Sequence, residues 1–290
     1  MKIAVICPFQ NERSRGYAQG VIEHLLERKI TVLVDSKMEI FLEDPEVVSY
    51  VSVFETLPPD TDFFFCIGGD GSMLRAIMTV KESNVPILGI NTGRLGFLTS
   101  LQKESLNVGL KQLWENKYAI INRTLLEVSL PEANEEIDSF PYALNEISVN
   151  RKNTASLISI DTRLDQEPLT TYWADGLIIS TPTGSTGYSL SSGGPIMSPE
   201  TAGLILTPIA PHNLNIRPLI IPNTTSVELE VTGRGEDHLL SLDSRIISVE
   251  QGTKILIKKA AFTLATVELQ DNEFFKTLRD KLFWGLDTRN

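Results

Sequence analysis

FFFCIGGDGSMLR, residues 63–75, is the stretch that decides the fold of this chain. Its apolar start, bounded by glycines, predicts a buried parallel strand. Met73, Ile77 and Val80 then recur at helical spacing, which predicts a helix after Gly71. Asp70 therefore lies at a strand-to-helix turn, at the carboxyl end of a strand, where open α/β sheets bind their ligands.

The three glycines around Asp70 favour a bound phosphate. They let backbone N–H groups approach a ligand closely, and the N-terminus of the following helix attracts anions. A carboxylate beside phosphate would be repelled unless it holds a metal, accepts a proton or binds a sugar hydroxyl. The alternative is a helix N-cap, which Asp fills well but which needs no flanking glycines. The dinucleotide motif G-x-G-x-x-G and the P-loop motif are both absent from this stretch.

The composition limits the classes of partner. A chain of 290 residues with a net charge of −11 is not expected to bind nucleic acid or a membrane surface. No apolar run reaches the roughly 18 residues of a membrane-spanning helix. The two cysteines, Cys7 and Cys66, fall in apolar runs, which is typical of buried thiols in a reducing compartment. We therefore expect a cytoplasmic protein.

The pattern along the chain predicts two domains and a terminal helix. Strand and helix patterns alternate over residues 1–117, which indicates an α/β domain with a parallel sheet. Residues 118–267 carry short runs rich in Val, Ile, Leu and Thr between turn residues, which indicate a mostly antiparallel, all-β domain. Residues 268–290 hold a last amphipathic helix, which we expect to dock on the first domain.

Residues 91–97, NTGRLGF, follow the next predicted strand and should lie in the same crevice as the Asp70 loop. Arg94 can supply positive charge to a phosphate, and Phe97 can supply a ring to a base or ribose. The alternatives are a surface arginine and a core phenylalanine.

Asn145 and Glu146 place an amide and a carboxylate inside a strand-like run. Burying a glutamate costs several kcal/mol unless it is paired or binds something. Neighbouring strand residues point to opposite faces, so both can serve one ligand only at a bulge or a strand end. The alternative is an exposed edge strand.

A second stretch, residues 175–195, runs from a strand into a loop dense in hydroxyls and glycines. Its Ser and Thr side chains and backbone N–H groups could cradle ribose, phosphate or amide groups. The alternative, a flexible linker, is disfavoured because Pro182, Tyr188 and Pro195 stiffen it. The three histidines lie far apart in sequence and show no metal-ligand spacing, so we expect no protein metal site.

Together, GGDG at 68–71, NTGRLGF at 91–97, Asn145-Glu146 and the stretch 175–195 resemble the NAD kinases of bacteria over nearly the whole chain. The GGDG motif also resembles that of diacylglycerol-type lipid kinases, whereas residues 181–195 are far more specific. The resemblance implies ATP-dependent phosphorylation of the 2′-hydroxyl of the adenosine ribose of NAD, giving NADP. It implies Mg²⁺ or another divalent cation with ATP, and a homo-oligomer, either a dimer or a tetramer.

The resemblance also implies roles for individual residues. Asp70 would be the general base, Gly71 and Arg75 would lie beside NAD or phosphate, and Asn145 and Glu146 would hold a ribose. The residues implied to frame the dinucleotide are Asp175, Thr183, Thr186, Gly187, Tyr188, Ser189, Leu190 and Ser191.

Two other functions remain open from the residues. A lipid kinase would use the Asp70 loop on a long-chain alcohol, but residues 183–191 are too polar for an apolar acceptor channel. A non-catalytic sensor would bind NAD or NADP without needing Asp70 as a base.

Overall fold

The computed structural model describes residues 1–9, 12–39, 42, 44–93, 96–102, 105–152, 157–270 and 274–283. The chain forms two compact units. The first unit comprises Met1–Asn122 and Leu264–Asn290, and the second comprises Arg123–Thr263.

The first unit alternates strands and helices, as its sequence predicts. Its first strands are β1 (Lys2–Ile6), β2 (Thr31–Asp35), β3 (Ser52–Phe54), β4 (Phe63–Gly68), β5 (Ile87–Asn91) and β6 (Leu101–Gln102). Its first helices are α1 (Glu12–Glu27), α2 (Ser36–Glu39), α3 (Pro45–Tyr50), α4 (Asp70–Val80) and α5 (Leu106–Trp114). The strands lie in the order β3-β2-β1-β4-β5, with β6 beside β5, and these pairs are parallel. The predicted α/β class with a parallel sheet is confirmed.

Strand β4 lies inside this sheet, between β1 and β5. Every residue of β4 is buried, because a strand covered on both faces has no place for a polar side chain. The predicted helix after the glycines is α4, and its Met73, Ile77 and Val80 are buried as their spacing predicts. The sequence pattern therefore places Asp70, the first residue of α4, at the carboxyl end of the sheet.

The second unit is built from antiparallel strands and two short helices. These elements are β7 (Tyr118–Ser129), whose first five residues belong to the first unit, α6 (Glu135–Asp138), β8 (Tyr142–Ala143), β9 (Glu146–Arg151), β10 (Ile158–Leu164), β11 (Glu167–Ala174), β12 (Gly176–Ser180), α7 (Tyr188–Ser191), β13 (Gly203–Ile209), β14 (Leu219–Pro222), β15 (Val227–Thr232), β16 (Asp237–Leu242) and β17 (Arg245–Glu250). Six strands form one sheet in the order β14-β13-β12-β9-β16-β17. Strands β10, β11 and β15 pair antiparallel in another layer, and one apolar core contains residues of both layers. The predicted mostly antiparallel class is confirmed.

The chain then returns to the first unit through β18 (Lys254–Leu269) and α8 (Phe274–Leu282). Thr266 pairs in parallel with Ile87 of β5, and Val267 and Leu269 lie in the core of the first unit. Helix α8 buries Leu278, whereas Phe275 is largely exposed. The apolar pattern of this helix predicts that Phe275 is buried together with Leu278, but only Leu278 of these two is buried.

Both cysteines are free and buried. Burial raises the pKa of the Cys7 and Cys66 thiols, so neither is a reactive thiolate at neutral pH. Among the described helices, none combines the length and the apolar character needed to cross a membrane.

His238 of β16 makes the stability of the fold sensitive to acid. Its side chain is fully buried, and neither ring nitrogen bonds to a described residue. Burial lowers the pKa of His238 to about 4. In the unfolded chain the imidazole takes up a proton near pH 6.5, whereas the folded protein resists protonation until about pH 4. Its contribution to stability is therefore intact above pH 6.5 and is lost as the pH falls.

We expect His238→Leu to remove about 3 kcal/mol of the stability loss between pH 7 and pH 4, because Leu has no proton to bind. Urea unfolding at several pH values measures this slope. His212, which is exposed, provides the matched control, and His212→Leu should leave the slope unchanged. Equal slopes in wild type and His238→Leu would contradict the assignment.

Candidate active site

The turn between β4 and α4 requires glycine at position 68. Gly68 has φ of +148°, and a Cβ there would lie 2.0 Å from the Oγ of Ser72. Gly69 is the N-cap of α4, and Asp70 is the first helical residue. The alternative that Asp70 itself caps the helix is therefore wrong, and its carboxylate is available for another task.

The Asp70 carboxylate joins the two glycine-containing loops. Its Oδ2 accepts the Phe97 N–H at 2.8 Å, and its Oδ1 accepts the Leu98 N–H at 3.0 Å. The loop that contains Phe97 is shaped by Asn91, whose Oδ1 accepts the Gly93 N–H at 2.6 Å and whose amide donates to Thr99 at 2.8 Å. Residues 68–71 and the described part of 91–97 thus lie together, as expected from neighbouring parallel strands. Arg94 lies outside the described residues.

Gly96 is required for the position of this carboxylate. A Cβ at Gly96 would lie 1.7 Å from the Oδ1 of Asp70, and that side chain is held by two backbone N–H groups. We expect Gly96→Ala to displace Asp70 and to lower turnover roughly 100-fold, as small misplacements of catalytic groups do. Steady-state kinetics measure the loss.

Gly93→Ala is the matched control in the same loop. A Cβ at Gly93 would have Asn91 Oδ1 as its nearest neighbour, at 3.9 Å, which is an ordinary contact. Turnover of Gly93→Ala should therefore stay near that of wild type. Equal effects of the two substitutions would show that Gly96 does not act through Asp70.

The other predicted residues of the first unit that the structure describes are Gly71, Arg75 and Phe97. Gly71 and Arg75 lie exposed in the first turns of α4, and the Arg75 guanidinium lies 4.3 Å from the ring centroid of Phe9. Phe97 is half-buried, and its ring contacts Phe274 and the Nζ of Lys281, 4.5 Å from its centroid. Phe97 is thus neither a free platform nor a fully buried core residue.

In the second unit, Asn145 and Glu146 lie at the start of β9. The strand begins at Glu146, so Asn145 precedes it and the required strand end is present. Strand β9 lies between β12 and β16, so the edge-strand alternative is wrong. A Cβ at Gly187 would lie 3.2 Å from Glu146 Oε2 and 3.8 Å from Asn145 Nδ2, and the Tyr188 N–H donates to the Glu146 carboxylate. Asn145, Glu146, Gly187 and Tyr188 therefore form one cluster, called here the amide–carboxyl cluster.

Glu146 has an unusual electrostatic environment. Burial is the main cause that raises the pKa of Glu146 to about 8, and the nearby Asp243 carboxylate is the second cause. The hydrogen bond from the Tyr188 N–H acts in the opposite direction and lowers this pKa. Its Oε2 is buried and has no hydrogen-bond partner among the described residues. Glu146 is therefore largely a neutral carboxyl group at pH 7, able to donate as well as accept. A buried polar atom without a protein partner is suited to a ligand hydroxyl.

The hydroxyl-rich stretch is ordered and is not a linker. Thr183–Thr186 form a 3₁₀ turn, and α7 follows it. Two of its serines serve this structure: Ser185 accepts the Met197 N–H at 3.0 Å, and Ser189 lies buried, 2.8 Å from the Thr207 hydroxyl.

Of the remaining side chains of this stretch, some form hydrogen bonds within the fold and others are exposed at the surface. Thr183 accepts a bond from Arg123 at 3.3 Å, and the Thr186 hydroxyl donates to the Thr183 carbonyl. Leu190 is half-buried, while Tyr188 and Ser191 are exposed and accessible to a ligand.

Asp175 is not brought to the amide–carboxyl cluster. It forms an ion pair with Arg151 at 2.9 Å, and both side chains are partly exposed. Glu146 is the first residue of β9 and Arg151 is the last. At the rise per residue of a strand, their Cα atoms lie about 17 Å apart.

Asp243 is the residue near this cluster to which sequence reasoning assigns no role. Its carboxylate accepts the N–H groups of Leu144, Asn145 and Glu146, at 2.9, 2.8 and 3.1 Å. Its sequence signal is weak, because an Asp in a hairpin turn is common and the segment it holds lies 97 to 99 positions away.

The described residues contain no group of three His, Cys, Asp or Glu side chains that could hold a metal ion.

Comparison with known proteins identifies relatives over the full chain. Residues 3–118 match the family model of the ATP-NAD kinase N-terminal domain, and residues 144–269 match that of the ATP-NAD kinase C-terminal domain. The NAD kinase of Christiangramia forsetii is 48% identical, and that of Flavobacterium psychrophilum is 46% identical, with both chains covered completely in each case.

Two solved structures share the fold. Yeast NADH kinase complexed with NADH superposes with a TM-score of 0.85 at 25% identity, covering 100% of this chain and 89% of that one. An NAD kinase from Archaeoglobus fulgidus in complex with ATP gives a TM-score of 0.75 at 27% identity, covering 98% and 99%.

Proposed function

The chain belongs to the NAD kinase family, and from this premise we propose that it transfers the γ-phosphoryl group of ATP to the 2′-hydroxyl of the adenosine ribose of NAD. The products are NADP and ADP. The observation that carries the assignment to this site is the Asp70 carboxylate, fixed between two glycine-containing loops at the carboxyl end of a parallel sheet.

In this proposal Asp70 is the general base. The 2′-oxygen attacks the γ-phosphorus, the bond from that phosphorus to the ADP oxygen breaks, and the hydroxyl proton passes to Asp70. The two N–H donors hold the carboxylate in place but leave lone pairs free, because each carboxylate oxygen can accept more than one bond. Phosphoryl transfer depends mainly on such positioning and on charge stabilisation.

The triphosphate requires local positive charge, since the protein as a whole is acidic. The first turn of α4, which includes the Gly71 N–H, carries the partial positive charge of a helix N-terminus, and Arg75 lies exposed one turn later. Arg94 would add charge from the neighbouring loop. Mg²⁺ would enter bound to the ATP phosphates, whose oxygens are the ligands this cation prefers.

The amide–carboxyl cluster would hold the dinucleotide. Asn145 and the neutral carboxyl of Glu146 can bind ribose hydroxyls as donor and acceptor. Phe97 would contribute ring contact, while Thr183, Thr186, Leu190 and Ser191 would shape the binding surface beside Gly187 and Tyr188. Ser189 would act indirectly, through its bond to Thr207.

We further propose a cytoplasmic homo-oligomer, a dimer or a tetramer. Sedimentation of the purified protein with and without NAD tests the assembly.

Asp175 lies at the far end of β9 from Glu146, so it would meet a ligand only at some distance from the amide–carboxyl cluster.

The test of function is NADP formation from purified protein with NAD, ATP and Mg²⁺, detected by an NADP-specific dehydrogenase. NADP above the no-enzyme blank supports a kinase. No NADP, with NAD still raising the melting temperature, would favour the sensor. No NADP and no shift would favour a lipid kinase, which a long-chain alcohol acceptor then tests.

A further inference from the structure

We propose that Asp243 is a positioning residue of the dinucleotide site. It holds the backbone of residues 144–146 in the one conformation that presents Asn145 and Glu146 to the ligand. This inference rests on the proposed function, because it assumes that these two side chains bind NAD.

The geometry is that of a clamp made by one carboxylate. Three consecutive N–H groups, those of Leu144, Asn145 and Glu146, converge on the two oxygens of Asp243. The contact is reciprocal, since the Asp243 N–H donates to the Glu146 carbonyl at 3.0 Å. Four hydrogen bonds therefore tie the turn between β16 and β17 to the segment that begins β9.

The turn can do this because of its backbone conformation. Asp243 has φ of +52°, the left-handed region that Asp and Asn tolerate better than most residues. Two positions later, Arg245 donates to the carbonyl oxygens of Phe140 and Tyr142, and its guanidinium lies 5.0 Å from the Phe140 ring centroid. The hairpin thus grips both ends of the segment 140–146.

A buried carboxylate is a costly way to build a turn, which points to a role beyond folding. Burial raises the pKa of Asp243, while the three N–H groups and Arg245 oppose that shift. Its carboxylate also contributes to the raised pKa of Glu146. Asp243 therefore influences both the place and the protonation of the Glu146 side chain.

Asp243→Asn tests this role while keeping the shape and the left-handed conformation. The new amide would turn a donor toward the Leu144 N–H and lose the negative charge. We expect the Kd for NAD to rise roughly tenfold or more, because a hydrogen bond to a charged group is lost and a buried donor is left unpaired. Turnover at saturating NAD should change much less, and the pH midpoint of NAD affinity should move to lower pH.

Calorimetry of NAD binding from pH 6 to pH 9 measures both quantities, and Glu146→Gln identifies the titration that belongs to Glu146. Asp165→Asn is the matched control: Asp165 also lies in a hairpin turn with positive φ and accepts the Ser226 N–H at 2.8 Å, in a different part of the unit. It should leave the affinity and its pH midpoint unchanged. An unchanged Kd and midpoint in Asp243→Asn would overturn the inference.

Two further measurements keep the outcomes separate. Amide hydrogen exchange at residues 144–146 should be faster in Asp243→Asn than in wild type, whether or not the wild type makes NADP. Faster exchange together with no NADP from the wild type would overturn the kinase function and leave the clamp intact. If Asp243→Asn does not fold, Arg245→Lys removes the second grip. A raised Kd for NAD in Arg245→Lys would support the clamp, and an unchanged Kd would refute it.

Discussion

Asp70→Asn will lower NADP formation by orders of magnitude while NAD binding persists. The amide of Asn has no proton affinity at neutral pH, so the attacking hydroxyl keeps its proton and turnover falls roughly 10²–10⁴-fold. Binding should survive, because we propose that NAD is held mainly by residues of the second unit, Asn145, Glu146 and Tyr188, and Phe97 is the one proposed contact that bonds to Asp70. Coupled-assay kinetics and calorimetry on the same preparation measure the two effects.

Asp70 also accepts hydrogen bonds from two backbone N–H groups, so part of the lost turnover could come from a disturbed loop. A control variant is needed to measure that part. Asp62 precedes the opposite end of β4 and accepts the Lys2 N–H at 2.7 Å. Asp62→Asn replaces a charged acceptor of a backbone N–H by a neutral amide oxygen, and it should keep full turnover. If Asp70→Asn retained turnover within a fewfold of wild type, Asp70 would not be the base.

Gly184→Ala will destabilise the second unit by on the order of 3 kcal/mol or more. A Cβ at Gly184 would lie 2.0 Å from the Asn145 carbonyl oxygen and 2.4 Å from its carbon. Both are backbone atoms of a segment that Asp243 and Thr181 also hold, so neither side can retreat cheaply. Urea unfolding should show a lower midpoint, with NAD affinity lost together with the displaced Asn145.

Gly187→Ala is the graded comparison three residues later. Its Cβ would lie 3.2 Å from Glu146 Oε2, the end of a side chain, and 3.3 Å from the Gly184 carbonyl oxygen, so each contact needs to lengthen by only a few tenths of an ångström. We expect a cost of about 1 kcal/mol or less. Equal stability of Gly184→Ala and wild type would mean that the 3₁₀ turn does not pack on Asn145 as described.

Periodicity and chain order were enough to predict that the Asp70 loop lies beside the loop that contains Phe97. The apolar run of β4 has no polar face, so its burial follows directly, and neighbouring parallel strands must end at one edge. The residue type, however, did not show whether a side chain points toward a ligand or into the fold. Ser185 and Ser189 resemble ligand-binding hydroxyls in the sequence, yet they bond within the fold. Asp175 likewise pairs with Arg151, which its neighbours in sequence do not reveal.

The role of Asp243 could not be predicted from a sequence motif. Its partners are backbone N–H groups, which every residue but proline carries, so no sequence pattern identifies them. Glu146 was predicted as a candidate, but its neutral state was not, because that state follows from burial and from a carboxylate 97 positions away.

The return of the chain through β18 sets the order in which the protein can be completed during translation. The second unit is continuous in sequence, so a ribosome delivers all of it before residues 264–269 exist. Those residues supply Val267 and Leu269 to the first core, and the Val267 carbonyl accepts a bond from Ser100. The second unit can therefore fold before the first unit is complete, whereas domains usually fold in amino-terminal-first order. The nascent Asp70 loop belongs to an unfinished unit until synthesis is nearly over, and a fragment that stops at residue 263 would lack part of that core.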